Sequence, residues 1–172
     1  MLENTYQITK MLVLKILLIS ILIISKVILI KNDISSDEQE KTIIDKVNDD
    51  ELFDSFQVTY NVFDQSSFSI LGDVLKQGKC VIIKEALANG RIFRNEKFQQ
   101  YNKVYNILEA LSKKYEVGVD AIALRFIMDN LQPTYVLSGA SNKTHLKQNL
   151  KALNFNFTLE ELKLLKTLKQ AP

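Results

Sequence analysis

Thr134-Tyr-Val-Leu-Ser-Gly-Ala-Ser-Asn-Lys-Thr-His-Leu-Lys-Gln-Asn-Leu150 is the stretch whose reading decides the fold. Its first four residues, Thr134 to Leu137, are β-branched, aromatic or apolar and predict a short strand. Ser138-Gly139-Ala140-Ser141 turns the chain, and Asn142 is placed to cap a helix with Leu146, Leu150 and Leu153 on one face. A strand, a small-residue turn and a helix start together make an anion site. The free backbone N–H groups and the positive end of the helix dipole point the same way there.

The same strand-then-helix grammar extends upstream. Cys80-Val-Ile-Ile83 is a continuous apolar run between turn signals, as expected of a strand buried on both faces of a parallel sheet. It is followed by a polar loop, Lys84 to Arg91. Phe56, Val58 and Tyr60 alternate with Gln57 and Thr59, the period of a strand. Between these two runs, Ser66-Ser67 cap a predicted helix with Phe68, Leu71, Val74 and Leu75 as its apolar positions, and Gly78 closes it. Val104, Ile107, Leu108, Leu111 and Tyr115 give one further helical face, Asp120 to Met128 another, and Pro133 bars its continuation. Thr158-Leu-Glu-Glu161 is a capping box ahead of Leu162, Leu165 and Leu168. Alternation of this kind predicts an α/β fold with a parallel sheet and right-handed crossovers.

The N-terminal part reads differently. Residues 11–30 (MLVLKILLISILIISKVILI) contain only Lys15 and Lys26 as ionisable members, and twenty residues is about the span of a bilayer helix. The run is a candidate transmembrane helix, which makes the expected location a single-pass membrane protein. The alternative is a buried strand or helix in a cytoplasmic chain, because the run is rich in Ile and Val. Residues 31–41 are an acidic polar linker, and Thr42 to Val47 shows the apolar spacing of a short helix.

Composition excludes several classes. The formal charge of +2 is spread over 22 basic and 20 acidic residues with no basic block, so no nucleic-acid partner is expected. The single cysteine, Cys80, excludes an internal disulfide, and one histidine, His145, is too few for a zinc site or a Ser-His-Asp triad beside it.

Four segments carry a family resemblance. Phe53-Asp-Ser-Phe-Gln-Val-Thr-Tyr-Asn61, Val81-Ile-Ile-Lys-Glu-Ala-Leu-Ala-Asn-Gly90, Ala123-Leu-Arg-Phe126 and Leu137-Ser-Gly-Ala-Ser141 with Asn149 resemble the C-terminal part of the aldo/keto reductases. The resemblance implies a TIM (β/α)8 barrel, of which 42–172 would supply the last three βα units. It implies reduction of a small carbonyl substrate with a nicotinamide cofactor, NADP usually and NAD possibly, bound across the strand C-termini. It also implies that an aspartate, a tyrosine, a lysine and a histidine do the catalysis. All four belong to the first half of the barrel, and no stretch here corresponds to them, so no catalytic residue is assigned. The alternative is a non-enzymatic, membrane-tethered remnant or interaction module.

The cofactor residues follow from the same resemblance. Gln57 matches the glutamine that bonds the nicotinamide carboxamide; by its alternation alone it is an outward polar residue. Lys84 falls where many members place a tyrosine that stacks on the nicotinamide. Gly139, Ala140, Ser141 and Asn142 match the loop around the adenosine 2′-phosphate. His145 stands where many members carry an arginine, and Gln148 and Asn149 match the pair at the adenine edge. Read without the family, these last residues are the polar outer face of a helix.

Overall fold

The computed structural model describes residues 27–29 and 54–169. Four parallel strands lie side by side in chain order. They are β1 (Val27–Leu29), β2 (Ser55–Thr59), β3 (Cys80–Lys84) and β4 (Tyr135–Val136). Helix α1 (Phe68–Lys76) links β2 to β3, while α2 (Asn102–Tyr115) and α3 (Val119–Leu131) link β3 to β4. After β4 come α4 (Lys143–Leu150) and α5 (Leu159–Lys166). Sequential parallel order with helical crossovers is the winding of a barrel rather than of a doubly wound sheet, and four strands are half of eight.

Alternation along the strands sets the two faces. Phe56 and Val58, with their register partners Val81 and Ile83, belong to the buried core with Leu71, Val74, Leu108, Ile122, Phe126 and Leu165. Ser55, Gln57 and Thr59, paired with Cys80, Ile82 and Lys84, lie on the other face, the one a barrel turns inward. β3 is buried at Val81, Ile82 and Ile83, as its continuous apolar run requires.

The apolar run of 11–30 is corrected where it can be described. Val27–Leu29 is a strand, not part of a spanning helix. It pairs in parallel with β2, Val27 opposite Ser55 and Leu29 opposite Gln57. A membrane helix satisfies its backbone within itself, whereas these residues pair with a neighbour. The β-branched content of the run favours that outcome. Among the described residues the sheet therefore has four strands where three were expected. Residues 11–26 and 30 of the run, the 31–41 linker and the Thr42–Val47 helix lie outside the described residues. Among the described residues, no helix is long and apolar enough to cross a membrane.

Local signals account for some element ends, but Ser67, expected to cap α1, makes no side-chain cap hydrogen bond. Thr158 caps α5 in a reciprocal box: its Oγ1 accepts from the Glu161 amide at 3.2 Å, and its own amide donates to Glu161 Oε2 at 2.9 Å. Gly78, at φ +74°, takes the left-handed turn after α1. Two non-glycines do the same work: Glu116 after α2 and Gln132 after α3, each at a φ above +50°. Phe68 is a correction to the expected apolar face of α1. It is 40% exposed, under the ammonium of Lys166.

Candidate functional site

The strand–turn–helix unit at the end of the sheet forms as its residues predict. The Leu137 amide donates to the Ile83 carbonyl at 2.9 Å, which carries the β3–β4 pairing one residue past β4 and releases the chain into Ser138–Ser141. Gly139 sits at φ +63°, with no heavy atom within 4 Å of where a Cβ would stand. Asn142 caps α4, its side chain accepting from the His145 amide at 2.9 Å. Asn149 is 2% exposed and donates from Nδ2 to the Ser138 carbonyl at 2.8 Å, tying the helix back onto the turn.

A cleft of about 800 Å³ opens beside this unit. One wall is Leu137 to Ala140 with His145, Gln148 and Asn149 of α4. The opposite wall is the loop after β3, through Glu85 to Leu87, Asn89, Gly90 and Phe93. Gly118, Val119 and Asp120, at the start of α3, complete it. It thus lies beyond the C-terminal ends of β3 and β4, where parallel α/β barrels place their ligands.

The loop after β3 is held in an uncommon conformation. Glu85, Ala88 and Asn89 all have φ between +50° and +53°, unusual for residues with a Cβ. Asn61, fully buried at the end of β2, holds it from behind. Asn61 Nδ2 donates to the Glu85 carbonyl at 3.2 Å, while its Oδ1 accepts from the amides of Phe63 and Asp64 at 3.0 Å each. The Ala88 amide donates to the same Glu85 carbonyl at 2.7 Å. Glu85 Oε1 is buried without a hydrogen-bond partner. Asp120 is 8% exposed, and its Oδ1 accepts from the Ala121 amide at 2.9 Å. That carboxylate fills the space beside Gly118, where a Cβ would come within 2.1 Å of Oδ1.

The nine residues expected to touch cofactor therefore divide. Gly139, Ala140, His145, Gln148 and Asn149 line one cleft. Ser141 and Asn142 stand beside it, Ser141 Oγ lying 3.1 Å from His145 Nδ1. Gln57 and Lys84 are not in the lining; both are half-buried on the inward face of the sheet, with Thr59 opposite Lys84 and Ile82 opposite Gln57. Sequence reasoning missed Asn61, Glu85, Asn89, Phe93 and Asp120. The Asn89-Gly90 pair was the available turn signal. Nothing in the residue type of Glu85 announces a positive φ.

Among the described residues, no group of three or more His, Cys, Asp or Glu is placed to hold a metal ion. The lining carries turn amides, one imidazole, three carboxamides and two carboxylates, a set suited to binding a polar organic ligand by hydrogen bonds.

The parallel sheet with its helical crossovers fits part of a (β/α)8 barrel. The profile of the aldo/keto reductase family matches residues 36–170, and the chain belongs to that family. No match to a curated protein was found. Three solved structures illustrate the likeness. The thermostable aldo-keto reductase Tm1743, in complex with the inhibitor epalrestat, is 21% identical, with a TM-score of 0.54 over 80% of this chain and 56% of that one. The aldo-keto reductase AKR11C1 from Bacillus halodurans, in its apo form, is 19% identical, with a TM-score of 0.60 over 76% and 48%. A point mutant of Gox0644 in complex with NADPH is 14% identical, with a TM-score of 0.56 over 77% and 44%. At these identities the likeness is one of fold. The chain spans about half the length of these structures, 44–56%.

Proposed function

We propose that the cleft takes the adenosine end of a nicotinamide dinucleotide, and that these residues form the cofactor-binding half of a carbonyl-reducing aldo/keto reductase. One observation carries this reading. Five residues expected at the cofactor, Gly139, Ala140, His145, Gln148 and Asn149, wall a single cleft at the strand C-termini. The bound cofactor would supply hydride chemistry to a small carbonyl substrate. The residues here supply position. The open space over Gly139 lets a ligand approach the backbone closely. Gln148, exposed on α4, offers a carboxamide to the edge of a base, and the buried Asn149 fixes the turn against the helix.

Gln57 and Lys84 are proposed for the nicotinamide end. They share the inward face of the sheet, where a barrel holds its reacting groups. The aspartate, tyrosine, lysine and histidine expected of the family's first half have no counterpart in the 172 residues. Turnover is therefore proposed only in the presence of the strands that would precede β1 in a closed barrel, and these residues alone bind without catalysing.

Calorimetric titration of the full chain with adenosine 5′-monophosphate tests the reading. Saturable binding is expected, and Ala140→Trp, which places an indole in the cleft, should abolish it while leaving the far-UV circular dichroism unchanged. Absence of binding, or equal binding by the Trp variant, would remove the cofactor from this cleft.

A further inference from the structure

The cleft has an unusual charge for a site expected to receive a 2′-phosphate. Among the described residues, its lining holds two carboxylates, Glu85 and Asp120, and neither lysine nor arginine. Glu85 has a buried Oε1 with no partner, and Asp120 is all but enclosed. The neighbouring cations are directed elsewhere or stand outside the lining. Arg91 Nε donates to the Ala88 carbonyl at 3.2 Å, with its guanidinium 5.9 Å from the centre of the Phe63 ring. Lys143 and Lys147 are exposed on α4 and do not line the cleft.

Some donors at and beside the turn are paired within the protein. The Ala140 amide faces Ser138 Oγ at 3.4 Å, and the His145 amide is taken by Asn142 Oδ1. Asn149 Nδ2 is taken by the Ser138 carbonyl. The Ser141 hydroxyl and His145 Nδ1 face each other at 3.1 Å, so one hydrogen of that pair is spent between them. The backbone N–H groups of Gly139, Ser141 and Asn142 in the turn, and of Lys143 and Thr144 at the helix start, are neutral donors. A phosphate monoester carries close to two negative charges at neutral pH and is held by charge-assisted bonds. Neutral amides beside a lining that carries two carboxylates and no cation do not offset that charge. A ribose hydroxyl, by contrast, can donate to a carboxylate, and acidic side chains serve this purpose in dinucleotide sites that take the unphosphorylated form.

Resting on the cofactor reading above, we infer that this cleft selects NAD(H) over NADP(H), with Glu85 and Asp120 rejecting the 2′-phosphate and no lysine or arginine among the described lining residues to hold it. Selection here works by an unfavourable contact with the wrong ligand as much as by a good one with the right ligand.

Titrating the full chain with NAD⁺, NADP⁺ and adenosine 5′-monophosphate in parallel tests this. NAD⁺ should bind about tenfold or more tightly than NADP⁺, the scale of one charge contact. Glu85→Gln should narrow the ratio by raising NADP⁺ affinity. His145→Arg, at an exposed position that does not threaten folding, should narrow it further by adding a guanidinium. Equal or tighter NADP⁺ binding, or a ratio that neither substitution moves, would overturn the inference while leaving adenosine 5′-monophosphate bound and the cofactor reading intact. Failure of all three nucleotides to bind would overturn both.

Discussion

Replacing Asn61 by Ala should loosen the loop that walls the cleft, and the cost can be worked from its three hydrogen bonds. The side chain is fully buried and accepts from the Phe63 and Asp64 amides while donating to the Glu85 carbonyl. The Glu85 carbonyl keeps the Ala88 amide as a partner, so its loss is minor. The Phe63 amide is left buried and unpaired, at about 1–3 kcal/mol. The Asp64 amide is nearer the surface and recovers part of its bond from water. The total is about 2–4 kcal/mol, a large share of the stability of an ordinary domain. Urea unfolding, followed by far- and near-UV circular dichroism, measures it. Asn61→Asp keeps both amide bonds but turns an acceptor toward the Glu85 carbonyl, and should cost less, about 1–2 kcal/mol. A loss below about 0.5 kcal/mol for Asn61→Ala, the range of an ordinary surface change, would refute the view that this residue holds the loop.

Acid should weaken the seam between α2 and α5. Burial by itself would raise the Glu161 carboxyl, but bonds from Lys114, Tyr115 and the Thr158 amide outweigh it and hold the group at about 2. A depressed carboxylate stabilises fully above its ordinary value of 4.5 and loses that contribution as pH falls toward 2. Glu161→Gln should therefore cost about 1–2 kcal/mol at pH 7, after allowance for the exposed Lys114 side chain, and little at pH 2. A gap of equal size at both pH values in urea unfolding would contradict this. At the sheet edge, replacing Val27–Leu29 by Gly-Ser-Gly removes the strand that pairs with β2 and bares its backbone. Increased aggregation by light scattering and a loss of about 1–3 kcal/mol are expected; an unchanged chain would mean that β1 does not cover that edge. In the core, Leu71→Ala removes a fully buried side chain and should cost about 2–5 kcal/mol by the same unfolding measurement.

The parts of the fold that were legible in the sequence are those written in local chemistry. Asn142 and Thr158 announced their helices because a cap needs only a short side chain at one backbone position. The alternation of Phe56, Val58 and Tyr60 announced β2 because one face of that strand meets the core. Residues 11–30 were harder, since an apolar β-branched run reads alike as a bilayer helix and as a buried strand, and pairing with β2 settled Val27–Leu29 through partners distant in sequence. The cleft was legible on one wall only. The Ser138–Ser141 turn follows from small residues, whereas the Glu85 wall depends on a positive φ imposed by Asn61, twenty-four residues earlier in the chain. The self-pairing of Ser141 with His145, which bears on cofactor choice, is likewise a matter of geometry rather than of residue type.

The most direct test of the cofactor cleft is amide chemical-shift mapping of the isotope-labelled full chain on addition of adenosine 5′-monophosphate. The account predicts saturable shifts at Gly139, Ala140, His145, Gln148 and Asn149, with smaller ones at Glu85 and Asn89 across the cleft, and none at Leu159–Lys166 on the far helix. Shifts centred elsewhere, or none at millimolar nucleotide, would contradict it.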